Sequence, residues 1–185
     1  MAAPKSFSPV KLVCGIMSGR DDCFVTSEIK LEESFGPIDV KSSRHVFDQT
    51  DYYAKDMGPG LKRMFVSFER LIQPETLSRV KLRTNALENE IRDHFREGKR
   101  IVNLDPGYLT AAALIMATAK DFSHRVPLEH GIYAHLEFLF QKNSVQPLAW
   151  TYPDFRGGRY TPFFLESRRI YLVQLGPGGP LDQQR

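Results

Sequence analysis

Two short runs of this chain hold the residue types that chemistry needs. Arg100-Ile101-Val102-Asn103-Leu104-Asp105-Pro106-Gly107-Tyr108-Leu109-Thr110 reads as an apolar strand entering a polar turn and then an Ala-rich helix. Such a junction sets a carboxylate, Asp105, beside the free amides of a helix N-terminus, an arrangement suited to substrate or anion binding. Lys120-Asp121-Phe122-Ser123-His124-Arg125 follows the same helix and gathers an ammonium, an imidazole and a guanidinium. If that loop folds back toward Asp105, the aspartate would serve as base or metal ligand and His124 as proton carrier. Lys120 and Arg125, with Arg156, would clamp an anion. Each group also has a structural reading: Asp-Pro-Gly is common turn chemistry, and basic side chains after a helix complement its C-terminus.

Further candidates lie in aromatic loops. Asp51-Tyr52-Tyr53-Ala54-Lys55-Asp56-Met57-Gly58 holds two adjacent tyrosines, which are costly to leave without a packing or binding role. Tyr53 is the candidate pocket wall. Trp150-Thr151-Tyr152-Pro153-Asp154-Phe155-Arg156 has the same character, with Asp154 and Arg156 either binding ligand or pairing with each other. Lys81, Asn85, Glu88 and Arg92 line up at helical spacing, which favours a solvated face. Tyr133, His135 and Glu137 alternate onto one face of a strand, either solvated or a pocket wall.

Some chemistries are disfavoured. His124, His130 and His135 have no metalloenzyme spacing, so no metal site is expected. No phosphate-cradling G-x-x-x-x-G-K-[ST] run occurs, and the residues point to no particular cofactor. Phe65-Val66-Ser67-Phe68 echoes an RNA-recognition signature. Arg63 takes one of its aromatic positions, however, and Val10-Lys11-Leu12-Val13 lacks the matching aromatic, so nucleic acid on that surface is disfavoured.

The elements that must position these groups follow from periodicity and punctuation. Val10 to Met17 reads as a buried strand, and Asp21-Asp22 suits a helix start. That helix ends near Phe35, because Gly36-Pro37 cannot continue it. Strands are predicted over Ile38 to Phe47 and Leu61 to Phe68, the latter with Lys62, Met64, Val66 and Phe68 on one face and Arg63, Phe65 and Ser67 on the other. Pro74 opens a helix to Gly98 with a stripe of Leu77, Val80, Leu87, Ile91 and Phe95. With the Arg100 to Leu104 strand the order is β-α-β-β-α-β, a ferredoxin-like unit in an α+β protein. It is extended by a helix from Leu109 to Lys120, a hairpin of Arg125 to Leu128 and Ile132 to Phe140, and a helix from Thr161 to Leu175. Residues 1–175 are expected to form a single globular domain and 176–185 a disordered tail.

Composition fits that organisation. A 185-residue chain with 42% hydrophobic residues can bury a core without staples. Its two cysteines, Cys14 and Cys23, suggest neither a disulfide framework nor a metal knuckle, so the expected location is a reducing cytoplasm. The longest apolar run, Leu109 to Ala119, spans about half of a bilayer, so no membrane association is expected. A net charge of +3 comes from 25 basic and 22 acidic residues that are interspersed, which neither demands nor forbids nucleic acid.

Most of residues 10 to 172 resembles a prokaryotic family described as domain of unknown function 4416. The likeness rests on Phe35-Gly36-Pro37-Ile38-Asp39, Asp51-Tyr52-Tyr53 with Met57-Gly58, Lys81 through Thr84-Asn85 to Glu88, and Arg100 with Val102 to Tyr108. It continues in Lys120-Asp121 with His124-Arg125, Gly131-Ile132-Tyr133-Ala134, and Trp150 to Asp154. Asp56 and His135 stand where the family's pattern would have glutamate. Some members are labelled GTP-binding, a label this sequence does not support, since it has neither a P-loop nor a complete Asn-Lys-x-Asp motif. The family's pattern is polar and loop-borne, which implies functional roles for Asp105, His124 and Arg125. Two functions are expected from this sequence: a small-molecule enzyme or ligand-binding protein acting on an anionic compound, phosphorylated ones included, or a non-catalytic protein-interaction or RNA-associated module. The first predicts one concave site joining the 51–58, 105–110, 120–125 and 150–156 loops.

Overall fold

The computed structural model describes residues 3–48 and 54–176. Tyr53 and the 177–185 tail lie outside them. The chain is mixed α+β, and its described residues form a nine-stranded antiparallel sheet. β1 (Val10–Ser18) is buried at every position, because it is central and covered on both faces. α1 (Asp21–Phe35) starts at the paired aspartates and stops at Gly36, whose φ of 95° suits glycine.

The predicted 38–47 strand is two pieces, β2 (Ile38–Lys41) and β3 (His45–Val46), both paired with β4 (Lys62–Ile72). A short α2 (Ala54–Met57) lies between β3 and β4. A 3-10 turn at Pro74–Thr76 leads into α3 (Leu77–His94), which stops four residues short of Gly98.

The largest correction concerns residues 105–120. No turn forms at Asp105-Pro106-Gly107, and no helix follows it. β5 (Val102–Leu109) runs straight through Asp105-Pro106-Gly107, and β6 (Ala113–Thr118) returns beside it. The Thr110 hydroxyl accepts the N–H groups of Ala112 and Ala113 and so builds the reversal with its side chain. Burial then favours a strand for Ala113-Leu114-Ile115-Met116, overriding the helical propensity of the alanine run.

β7 (Val126–Pro127), β8 (Tyr133–Phe140) and β9 (Val145–Pro147) complete the sheet in the order β2-β4-β1-β5-β6-β8-β7, with β3 on β4 and β9 on β8. The expected hairpin is present, its bend using positive φ at His130 and Gly131. α4 (Pro153–Arg156) precedes α5 (Thr161–Leu175), whose limits are those expected from the sequence.

Each sheet face carries its own core. Leu12, Cys14, Ile16, Met64, Val66, Phe68, Val102 and Leu104 pack under α1 and α3. Val13, Phe65, Leu109, Leu114, Met116 and Phe138 pack under α4 and α5, against Phe155, Phe163 and Phe164. The expected alternation in β4 therefore holds. Phe65, on the face that would stack bases in an RNA reader, is completely buried against Phe155, Phe163 and Phe164.

Candidate functional site

The site arises where two strands part company. β1 pairs with β5 over its whole length, whereas β6 pairs with β5 only from Gly107 to Leu109. Short of Gly107 the sheet forks. Leu104 turns its backbone groups toward the fork, and Pro106, two residues on, turns the same way but has no N–H to leave unpaired. The Leu104 groups are satisfied from α3: Glu88 accepts its N–H at 2.7 Å, and Lys81 Nζ donates to its carbonyl at 2.8 Å. Two of the residues assigned to a solvated helix face thus close a strand edge, and Lys81 is buried.

A cavity of about 690 Å³ occupies the fork. Asn103 and Asp105 line it from β5, Met116 to Lys120 from β6 and its exit, His135 from β8, Lys81, Asn85 and Glu88 from α3, and Tyr152 to Phe155 from α4 and its approach. Arg63, Arg100 and Phe47 complete the wall.

Asp105 is the hub. Its carboxylate accepts from Asn103 Nδ2 at 2.6 Å and from Arg63 Nη2 at 3.4 Å, and lies 3.5 Å from Lys81 Nζ. Burial alone would push its pKa up, but the Lys81 and Arg63 charges and the Asn103 bond outweigh this and hold it below the usual aspartate value. It stays ionised, with a quarter of its side chain open. Arg100 bridges Glu88, at 2.8 Å, and Asn103. Glu88 shifts the other way: burial raises it, and Arg100, Lys81 and the Leu104 N–H only partly offset that.

Arg63 is the least expected member. It is buried, donates to Asp154 at 2.8 Å, and its guanidinium carbon lies 4.7 Å from the Phe65 ring centroid and 5.2 Å from that of Phe155. Gly15, opposite Asp105, makes the room: a Cβ there would sit 2.9 Å from Phe65 and 3.1 Å from Arg63. Asp154 therefore pairs with Arg63 and not with Arg156, whose guanidinium caps the carbonyls of Leu148, Ala149 and Thr151.

The opposite wall carries a buried pair. His135 Nε2 lies 2.5 Å from Glu137 Oε2, and the other Glu137 oxygen accepts the Tyr152 N–H at 2.7 Å. Two apart on the strand, both side chains lie on one face and are buried, beside a bulge in β8 opposite Leu114 and Ile115. His135 Nδ1 is buried with no hydrogen-bond partner among the described residues. His124 stacks on Trp150, ring centroids 5.1 Å apart, and meets the His135 ring edge-on. Burial, the neighbouring His135 ring and the Arg125 charge lower its pKa. Arg125 donates to the Lys120 carbonyl at 2.6 Å and to the Tyr152 hydroxyl at 3.0 Å. No β6 helix exists for these basic residues to cap.

The cavity thus joins Asp105, Lys120 and Asp154. It places His124 and Arg125 behind the wall formed by His135 and Tyr152, and turns Arg156 toward backbone. Arg63, Lys81, Glu88, Arg100, Asn103, His135 and Glu137 were not among the expected site residues. The one local signal was a charged Arg63 on a strand face otherwise marked by Phe65. Among the described residues, no group of three or more His, Cys, Asp or Glu side chains could hold a metal ion, and no helix is long and apolar enough to cross a membrane.

Fold and site together define an α+β protein with a charged cavity at a fork in an antiparallel sheet. The chain belongs to the family described as domain of unknown function DUF4416, whose model matches residues 8–171. Neither the comparison with curated proteins nor that with solved structures found a match.

Proposed function

We propose that the cavity binds a small anionic compound, as the site of an enzyme or of a ligand-binding protein. The observation that carries this reading is the convergence of cations on the wall. Among the described residues, four cationic side chains, Arg63, Lys81, Arg100 and Lys120, line it beside three carboxylates, Glu88, Asp105 and Asp154. In a recessed site of low dielectric, cations that converge from separate elements draw in anions. Lys120 at the exit of β6 is placed to take the charge, Asp105 to orient the bound molecule or accept a proton, and His124 to pass a proton outward.

The four strands β2, β4, β1 and β5, in that order and antiparallel, support the ferredoxin-like reading of the first half. Two buried free thiols suit a reducing cytoplasm. Cores on both faces of one sheet favour a single domain over residues 1–175.

A thermal-shift screen against nucleotides, sugar phosphates, carboxylates and short RNA tests the proposal, with Asp105→Asn alongside. A ligand at 100 times its Kd should stabilise by about 2.7 kcal/mol, a shift of several degrees. The expected result is an anionic hit that Asp105→Asn loses while still folding. A second reading, a surface for a protein or RNA, is favoured by the exposed Phe122, Val126, Leu128, Trp150 and Tyr152 around Arg125. Only short RNA binding, with steep salt dependence and no effect of Asp105→Asn, would displace the first reading with the second.

A further inference from the structure

The cavity mixes cations with groups that can only accept, and this mixture restricts which anions fit. Asp105 is an ionised carboxylate with a quarter of its side chain open. It would repel any ligand oxygen brought near it unless that oxygen carried a hydrogen. His135 adds a second acceptor. Glu137, buried and fixed by the Tyr152 N–H, holds Nε2 at 2.5 Å, so the ring hydrogen resides on Nε2. With the hydrogen on Nε2, Nδ1 is the ring's accepting nitrogen, and it is buried with no hydrogen-bond partner among the described residues. The charged and titratable neighbours of this ring are Glu137 on its own strand, His124 and Arg125 from the 120–125 loop, and Tyr152 from the approach to α4.

Resting on the anion-site reading, we propose that the cavity selects oxyanions that still carry a proton, phosphate monoesters above all, over fully ionised ones such as sulfates. Lys120 and the Arg63–Lys81 side of the wall balance the ligand's charge; dihydrogen phosphate gives one P–OH hydrogen each to Asp105 and His135 Nδ1, and the monoanion of a phosphate monoester gives its single one to either. A sulfate offers the same size and shape with no hydrogen to give. It would leave both acceptors unpaired against its own lone pairs.

The test uses the whole chain, labelled with 15N, titrated at about pH 6 with inorganic phosphate, methyl phosphate, sulfate and dimethyl phosphate. At that pH a phosphoryl group keeps at least part of its second proton. The expected result is that phosphate and methyl phosphate perturb the His135 ring nitrogens and bind at least about tenfold more tightly than sulfate or dimethyl phosphate. Asp105→Asn, which can donate as well as accept, and His135→Gln should each bring the phosphate-to-sulfate ratio toward one. Equal affinity for phosphate and sulfate in the unaltered protein overturns this inference and leaves the anion site standing. A preference that survives both substitutions also overturns it. Perturbation of no cavity residue by any of the four anions would remove the inference together with the reading beneath it. The comparison in the unaltered protein stands even where a variant fails to fold.

Discussion

Asp105 and Arg63 show how a single residue's meaning is set by its partners. Arg63 and Asp154 are both close to nine-tenths buried or more and bonded at 2.8 Å. Asp154→Ala leaves Arg63 its 3.4 Å contact with Asp105, so it should cost about 1–3 kcal/mol, and a double-mutant cycle with Arg63→Met should show the two to be coupled, as urea denaturation would read. A double variant that costs the sum of the two singles would contradict the pairing.

The two shifted carboxyls should act oppositely with pH. Asp105 is depressed below its ordinary 3.8, so its contribution is present above that value and fades as pH falls through the lower folded pKa. Glu88 is raised above 4.5, so its effect is a cost that grows as pH rises through the higher folded pKa. Asp105→Asn should flatten the acid limb of a stability–pH curve below 3.8, and Glu88→Gln should flatten the decline above 4.5. At this scale the sequence exposed Asp105, Lys120 and Asp154, because carboxylates and cations among turn-forming residues stand out. It hid Lys81 and Glu88, whose roles exist only once a strand edge is left open, and it left His135 and Glu137 between a solvated face and a pocket wall.

At the scale of elements, the fork between β5 and β6 depends on Gly107. A Cβ there would lie 2.5 Å from both the Ile115 carbonyl oxygen and Met116 Sδ, the first of which is backbone and cannot swing away. Gly107→Ala should cost about 1–3 kcal/mol or more and push β6 from β5, widening the cavity. Calorimetry and amide exchange at Leu114 to Met116 would check this; unchanged protection there would contradict it. The strands and helices of the first hundred residues were legible because caps and alternation agree with burial. The 105–120 region was not. Asp-Pro-Gly carries turn residues, and the alanine run favours helix, yet Thr110 supplies the reversal from its side chain and the neighbouring strands supply the burial. Local preference lost to tertiary pairing, and the site moved with it, from a helix N-terminus to a gap in the sheet.

Over the whole molecule, the two cores leave both faces of the sheet covered, so the fork is where polar groups from β4, β5, β8, α3 and α4 meet. Positions as distant in sequence as 63, 105 and 154 are joined through Arg63. That convergence is the basis of the central claim, that an anion binds in the cavity. Its most direct test is a map of backbone amide shifts during titration with inorganic phosphate. The account predicts saturable shifts confined to residues 103–105, 117–120, 135 and 152–155. Shifts that never saturate, or that fall on basic residues outside the fork, would contradict it.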